Sequence, residues 1–313
     1  MDPVIIAHGG IEFLHSGSST SRKQVALNNA VVQGYAAICN GKPSVEAVEM
    51  TISILEDDQH FNAGYGSVFN ADGEVELDAG MMNGTTLKVG SVGAIKDVDH
   101  PITLAKYVME LTEHSLLVGK GARKFAAGLK VPKLFRGSLV NFHLQSRDRW
   151  DTGNPESCTV GVVAIDAEGR CTAGSSSGGG SGKMAGRVGS SAIAGAGFYA
   201  DSSIGGCVAT GHGESIMQSC LCFNLVDQMS LQAKSGQLAM LAVKNAVEAA
   251  TRRFKKSVGI VALDCDGEFG VAFSAPRMPW AYCRRGKLRF GAESGENYVK
   301  DAIEGSNISV DVI

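Results

Sequence analysis

The chain has 313 residues, 44% of them hydrophobic and 19% charged, so it can bury one large core or two ordinary ones and is not a disordered chain. Its 40 glycines follow no Gly-X-Y period, which excludes collagen and points to a turn-rich α/β or α+β protein. The net charge of −3, with both signs interspersed, leaves no electrostatic footprint for nucleic acid or an anionic membrane, so the expected partner is a small molecule or a second copy of the protein.

Val4 to Ala7 is an apolar run that ends in His8-Gly9-Gly10 and reads as a buried strand stopped by a glycine turn. Arg22 to Asn40, preceded by Ser21 and closed by Gly41, spaces Val25, Val32, Tyr35, Ala36 and Ile38 for one helical face, and a second helix is expected from Ser44 to about Leu55. Phe61 to Ser67 reads as a loop. Strands are expected around Val75 to Asp78 and Leu87 to Ile95, and helices near 103–112 and 119–128. From about 137 to 158 the sequence becomes polar and aperiodic, as a linker or exposed loop does. It ends abruptly at Thr159 to Asp166, a buried-strand signal followed by the turn Ala167-Glu168-Gly169 and a return strand from Arg170 to Ser176. Helices over Glu214 to Leu231 and Leu238 to Phe254 and strands over Gly259 to Asp264, Phe269 to Phe273 and Lys287 to Phe290 complete the expected elements. Two antiparallel sheets between helical layers is the simplest packing for this order.

The eight cysteines form no C-x-x-C pair and no zinc-type spacing, so they are expected to be reduced and mostly buried. The N-terminus lacks a basic leader region and no segment has the length of a membrane span, which favours a cytoplasmic protein with no membrane partner.

Most familiar chemical motifs fail here. Ser177 to Met184 is glycine-rich around Lys183, but a phosphate loop needs glycine first and Ser or Thr after the lysine. Gly195-Ala196-Gly197 lacks the third glycine of a dinucleotide fingerprint. No histidine pair has metal-ligand spacing, His212 stands alone, and no metal is expected at the catalytic centre. Thr159 remains, at the head of a buried strand behind a polar linker. On periodicity alone it reads as an ordinary β-branched strand residue. Cleavage before it would give an α-amine of pKa about 7.7–8.0, a base within the same residue for an otherwise poor nucleophile.

Several motifs then agree. Thr159-Val160-Gly161, Ser177-Gly178-Gly179, Gly186-Arg187-Val188-Gly189, Tyr199-Ala200-Asp201 and Thr210-Gly211-His212-Gly213-Glu214 resemble, in order, the plant-type L-asparaginase and isoaspartyl peptidase family of N-terminal nucleophile hydrolases. His8-Gly9-Gly10, Phe61-Asn62-Ala63-Gly64 and Met278-Pro279-Trp280-Ala281 extend the resemblance over nearly the whole sequence. It implies an α+β fold, a four-layer αββα sandwich, in which residues 1–158 and 159–313 become the two subunits of one cleaved domain. It further implies hydrolysis of L-asparagine, β-aspartyl dipeptides or related amides through a threonyl acyl-enzyme. By position, Thr159 is nucleophile and base, Ser177 orients it, and Asn62 with Thr210 and Gly211 forms the oxyanion hole. Arg187, Ser190, Gly211 and Gly213 line the substrate site, with Arg187 on the α-carboxylate. A homodimer of cleaved protomers and a structural sodium in the loop around Glu56 to Phe61 are further family expectations; no organic cofactor is expected.

The departures are specific. The family's Gly-Arg-Val-Gly-Asp-Ser-Pro reads Gly189-Ser190-Ser191-Ala192 after Val188, so the aspartate that binds a substrate α-ammonium is replaced by neutral Ser190. Cys158 precedes the nucleophile where Gly or Asp is usual, and Ile11-Glu12-Phe13-Leu14 replaces the small residues that follow His8-Gly9-Gly10. These changes leave two other readings open: a member with weak or lost self-cleavage and a binding role, and an endopeptidase resembling threonine aspartase.

Overall fold

A computed structural model of the protein describes residues 1–13, 17–129, 139, 159–233 and 239–302. Cys158, Leu14 and nearly all of the polar stretch 137–158 lie outside the described residues. In sequence order the elements are β1 (Val4–His8), α1 (Gly17–Cys39), α2 (Ser44–Glu56), β2 (Leu77–Asn83), β3 (Val89–Ile95), α3 (Pro101–Leu111), β4 (Leu116–Val118), α4 (Gly119–Gly128), β5 (Val160–Ile165) and β6 (Cys171–Ser177). There follow β7 (Phe198–Asp201), β8 (Gly205–Gly211), α5 (Gly213–Gln218), α6 (Leu221–Ala233), α7 (Ala239–Phe254), β9 (Val258–Asp264), β10 (Phe269–Phe273), β11 (Arg277–Arg284), β12 (Lys287–Glu293) and β13 (Tyr298–Asp301). The protein is α+β.

The strands form two sheets. Nine lie in the order β13-β12-β11-β1-β5-β6-β2-β3-β4 and four in the order β10-β9-β8-β7. Neighbours are antiparallel except β3 and β4, which run parallel, so the expectation of two wholly antiparallel sheets is corrected at that edge. In the larger sheet β1 sits between β5 and β11, and β2 pairs with β6. Strands from before and after position 159 therefore alternate across one sheet.

Burial follows strand parity, because successive side chains point to opposite faces. Ile5, Ala7, Val160 and Val162 face a core shared with Leu27, Val31, Val48 and Ile52 of α1 and α2. Their neighbours Val4, Ile6, Val163 and Ala173 face the smaller sheet, where they meet Phe198, Val208 and Val261. The smaller sheet's other face, with Cys207, Ala209 and Ile260, is covered by Leu225 and Val226 of α6 and Val243 and Val247 of α7. Such two-sided burial explains why β1 and β5 read as continuous apolar runs.

Other expectations need correction. The helix expected over Glu214 to Leu231 is two helices, because Cys220 takes a left-handed backbone (φ 46°) after α5 has closed at Ser219. The strand expected over Val75 to Asp78 begins only at Leu77 and continues to Asn83. Strands β4, β7, β8, β11 and β13 have no counterpart among the expected elements. Among the described residues no helix is long and apolar enough to cross a membrane.

Candidate active site

Register brings the first residues of the site together. Val160 faces Ser176 in the β5–β6 ladder, so one step further Thr159 faces Ser177, and Ser177 faces Asp78 on β2. The Thr159 hydroxyl donates to Ser177 Oγ at 3.2 Å, and Ser177 Oγ accepts the Gly179 backbone N–H at 3.0 Å. Thr159 is only 3% exposed. By parity Thr159, Ser177 and His8 all point between the sheets.

The smaller sheet supplies Thr210 from the opposite side. A Cβ placed on Gly206 would lie 3.1 Å from Val163, and one placed on Gly161 would lie 2.8 Å from Val208. Moving towards the start of β5 thus corresponds to moving towards the end of β8, which carries Thr210 towards Thr159. Thr210 is fully buried and its Oγ1 has no hydrogen-bond partner, an arrangement that an oxyanion would satisfy. Gly211 has a φ of 119°, and a Cβ there would meet the Ser257 carbonyl at 2.4 Å, so only glycine fits beside Thr210.

Arg187 lies in a cradle of backbone. A Cβ on Gly179, Gly189 or Gly213 would come within 3.2, 2.5 or 2.6 Å of its guanidinium nitrogens. Its Nε and Nη2 donate to Glu214 Oε1 at 3.1 and 2.9 Å. Burial works against the ionised Glu214 carboxyl, but the guanidinium beside it prevails and holds it below the usual range. Ser190, 5% exposed, begins a short turn over Ser190–Ala192 at the rim of this cradle.

Asn62 joins two loops. Its Nδ2 donates to the Gly179 carbonyl at 2.7 Å, its Oδ1 accepts from Val68 N–H at 3.0 Å, and its own carbonyl accepts from Gly178 N–H at 2.9 Å. One amide hydrogen of Asn62 remains for an oxyanion, and its hydrogen bonds make it above all a positioning group.

Two charged residues that sequence reasoning did not assign also belong here. Lys183, 8% exposed, donates from Nζ to the Glu76 carbonyl at 2.8 Å and lies 3.8 Å from Asp78 Oδ2. The only signal for it was the lysine of the rejected phosphate-loop motif. Asp78, wholly buried, accepts the backbone N–H groups of Ala94 and Gly189 at 2.8 and 2.9 Å, which fixes the Arg187 loop to β2. Burial pushes the Asp78 carboxyl up and the Lys183 ammonium down, each opposed by the other's charge. His212 is a structural residue in this arrangement: it caps α5, with Ser215 N–H donating to its Nδ1 at 3.3 Å.

A sequence model of the family described as asparaginase matches residues 1–291. The chain belongs to the asparaginase family. It is 39% identical over 310 residues to an isoaspartyl peptidase/L-asparaginase of Xenopus laevis, covering 96% of this sequence and 98% of the frog protein. Proteins of the same name from Danio rerio and Homo sapiens are each 36% identical, over 97% and 96% of this sequence and 99% of their own lengths. The asparaginase assignment makes the protein an amidohydrolase by family.

One further residue beside Thr159 reads in the sequence as the end of a strand before a glycine turn and as part of a family motif, with no role of its own. His8 is fully buried, opposite Gly161, where a Cβ would lie 2.6 Å from its Nε2. Burial, opposed by a hydrogen bond with the Thr159 backbone, lowers the imidazole to about 3. The unfolded protein takes this proton near pH 6.5, whereas the folded protein stays neutral down to about 3, so stability is full above 6.5 and declines below it. The slope is on the order of 1 kcal/mol per pH unit. Thermal melts should therefore show the gap between wild type and His8→Gln narrowing as pH falls from about 7.5 to 4.5; a gap that stays constant would mean that His8 titrates alike in the folded and unfolded protein, and one that widens would mean that the fold holds it charged.

Proposed function

We propose that this protein is an N-terminal threonine amidohydrolase that cleaves itself before Thr159 and hydrolyses L-asparagine, β-aspartyl dipeptides or related amides. The observation that carries it is the buried Thr159–Ser177 pair at the head of β5, with the unpartnered Thr210 hydroxyl approaching from the other sheet. The names of the relatives, isoaspartyl peptidase/L-asparaginase, support the same substrate class.

The chemistry follows from those positions. The freed α-amine of Thr159 takes the Oγ proton as Oγ attacks the amide carbon, and Thr210 with the backbone at Gly211 and the Asn62 amide would hold the developing oxyanion. The C–N bond breaks, the amine passes its proton to the departing ammonia or amino acid, and an ester links substrate to Thr159. Water, deprotonated by the same amine, then attacks the ester, releasing the carboxylate and restoring the hydroxyl. Ser177 orients Oγ, and Arg187 would grip the substrate α-carboxylate as a two-pronged donor in exchange for Glu214.

We further read the fold as the four-layer αββα sandwich of such hydrolases. Three successive apolar cores, two of them roofed by helices, support this layering. Residues 1–158 and 159–313 would be its two subunits, and a cytoplasmic homodimer of cleaved protomers its working form. The Glu56 to Phe61 loop suits a sodium ion, because the Gln59 and Phe61 carbonyls both converge on Gly66, at 2.8 and 2.1 Å from its Cβ position. Its role there would be to fix the loop that carries Asn62. The nearby Asp57, Asp99 and His100 group is less suited to a cation, since Glu56 chiefly holds the His100 imidazole up to about 9 and already places a positive charge there.

A second reading, a member with weak or lost self-cleavage, is favoured by one observation. Ile11 is buried between the sheets and the next residue, Glu12, is held at 2.7 Å by Lys23 and bridged to Arg277. That leaves little of the mobility that a glycine-lined loop gives the bond before Thr159. Intact mass of fresh and aged protein under denaturing conditions decides between them. Two fragments dividing between Cys158 and Thr159 support the hydrolase; one persistent full-length species removes it.

A further inference from the structure

We propose that the outer edge of β10 docks an acidic, extended peptide segment of a partner protein, in which apolar residues alternate with aspartate or glutamate. β10 is the outermost strand of the smaller sheet and pairs with β9 alone. The Glu268 carbonyl accepts Asp264 N–H and Ser274 N–H donates to the Val258 carbonyl, each at 3.0 Å, so the even residues of this ladder turn their backbone inward. Phe269, Val271 and Phe273 turn theirs outward, and among the described residues no hydrogen bond reaches those groups. A groove of about 1050 Å³ runs along this edge, between α7 on one side and the turn joining β12 to β13 on the other. An edge strand with free backbone in a groove is a template for one more strand.

Parity then fixes what the two faces of an added segment would meet. Phe269, Val271 and Phe273 lie half-buried on the side of the larger sheet, with the Phe269 ring 5.7 Å from that of Trp280. Gly270 and Ala272 turn towards α7, where a Cβ on Gly270 would lie 2.8 Å from Val243. Alternate side chains of the incoming segment would therefore rest on an aromatic floor, and the rest would face α7. The α7 side is cationic. Lys244 and Arg252 on the helix, with Lys255 and Lys256 just after it, line the groove, are exposed, and make no ion pair among the described residues. The acids of the groove are fewer: Glu293 is neutralised by Arg277 at 2.6 Å, and Glu296 is held by the backbone N–H groups of Ala292 and Glu293 on the far wall, which leaves Glu248. Carboxylates on one face and apolar side chains on the other match this edge. A second copy of the chain matches it less well, because two-fold pairing of β10 with itself would bring two cationic α7 walls together.

The test is fluorescence anisotropy of the full-length protein with a dye-labelled, end-capped peptide of alternating valine and aspartate, long enough to span β10. Saturable binding is expected, and the same peptide with lysine for aspartate should bind at least about tenfold more weakly. N-methylation of one alternate set of the peptide's backbone nitrogens should weaken binding by at least about tenfold, while methylation of the other set leaves it nearly unchanged, because only one set faces β10. The exposed double substitution Lys244→Glu with Arg252→Glu should keep the wild-type melting temperature and reverse the preference between the two peptides. No binding up to about 1 mM, equal binding of the lysine peptide, or equal loss from both methylation patterns would overturn the proposal. Failure to bind, together with a wild-type dimer that Val271→Pro splits, would place a second copy on β10 and overturn it as well.

Discussion

Thr159→Ala is expected to stay a single polypeptide of 313 residues and to release no ammonia from any β-amide, a loss of at least about four orders of magnitude in kcat. The substitution removes the hydroxyl that donates to Ser177 and nothing else of size, because Thr159 lies at the head of β5 with its neighbours Val160 and Gly161 already in the ladder. The fold should survive with its stability lowered by about 1–3 kcal/mol, the scale of a buried hydrogen bond and a methyl group. Denaturing mass spectrometry reads the cleavage and an ammonia-coupled assay reads the turnover. A cut, active variant would take the nucleophile away from Thr159 and return that residue to an ordinary place in the strand.

Arg187→Lys should leave self-cleavage complete and lower kcat/KM by about a hundredfold or more, mostly through KM. Three glycines shape the space for a flat, forked cation, and Nε and Nη2 both reach the same Glu214 oxygen. An ammonium presents one point charge at the end of a shorter stem. It would satisfy neither the fork nor the backbone cradle, and it would leave Glu214 beside a partner of poorer geometry. The pair of measurements is again mass and kinetics, and a lysine variant with wild-type KM would mean that Arg187 does not hold the carboxylate.

The sequence was most legible where burial is two-sided and local. The hairpin from Thr159 to Ser177 announced itself because Val160, Val162, Val163 and Ile165 leave no polar position between them. β8 escaped because Gly205, Gly206 and Gly211 interrupt its apolar run, yet all three serve close approach. A Cβ on Gly206 would meet Cys171 Sγ at 2.9 Å, and one on Gly205 would meet the Leu263 carbonyl at 2.1 Å. Glycine that permits a turn and glycine that lets two sheets touch are the same letter. The roles of Asp78, Lys183 and Glu214 were not legible from pattern, because each partner lies on another element: Glu214 is 27 residues from Arg187, and Gly189 is 111 residues from Asp78. Asn62 was found through the family motif, while its part in tying the Phe61 loop to Gly178 and Gly179 needed the hydrogen bonds themselves.

The alternation of strands across the larger sheet has a consequence for the two pieces that a cut before Thr159 would produce. β1 from the first piece is zipped on both sides by β5 and β11 of the second, and β2 is zipped to β6. Neither piece could leave without opening three ladders and exposing the apolar faces on both sides of them, so cleavage would break one covalent link and leave the folded body whole. The same interlock means that each piece made alone would lack the neighbours its strands require. Separate expression should give insoluble fragments, and co-expression should restore a folded pair by fragment complementation.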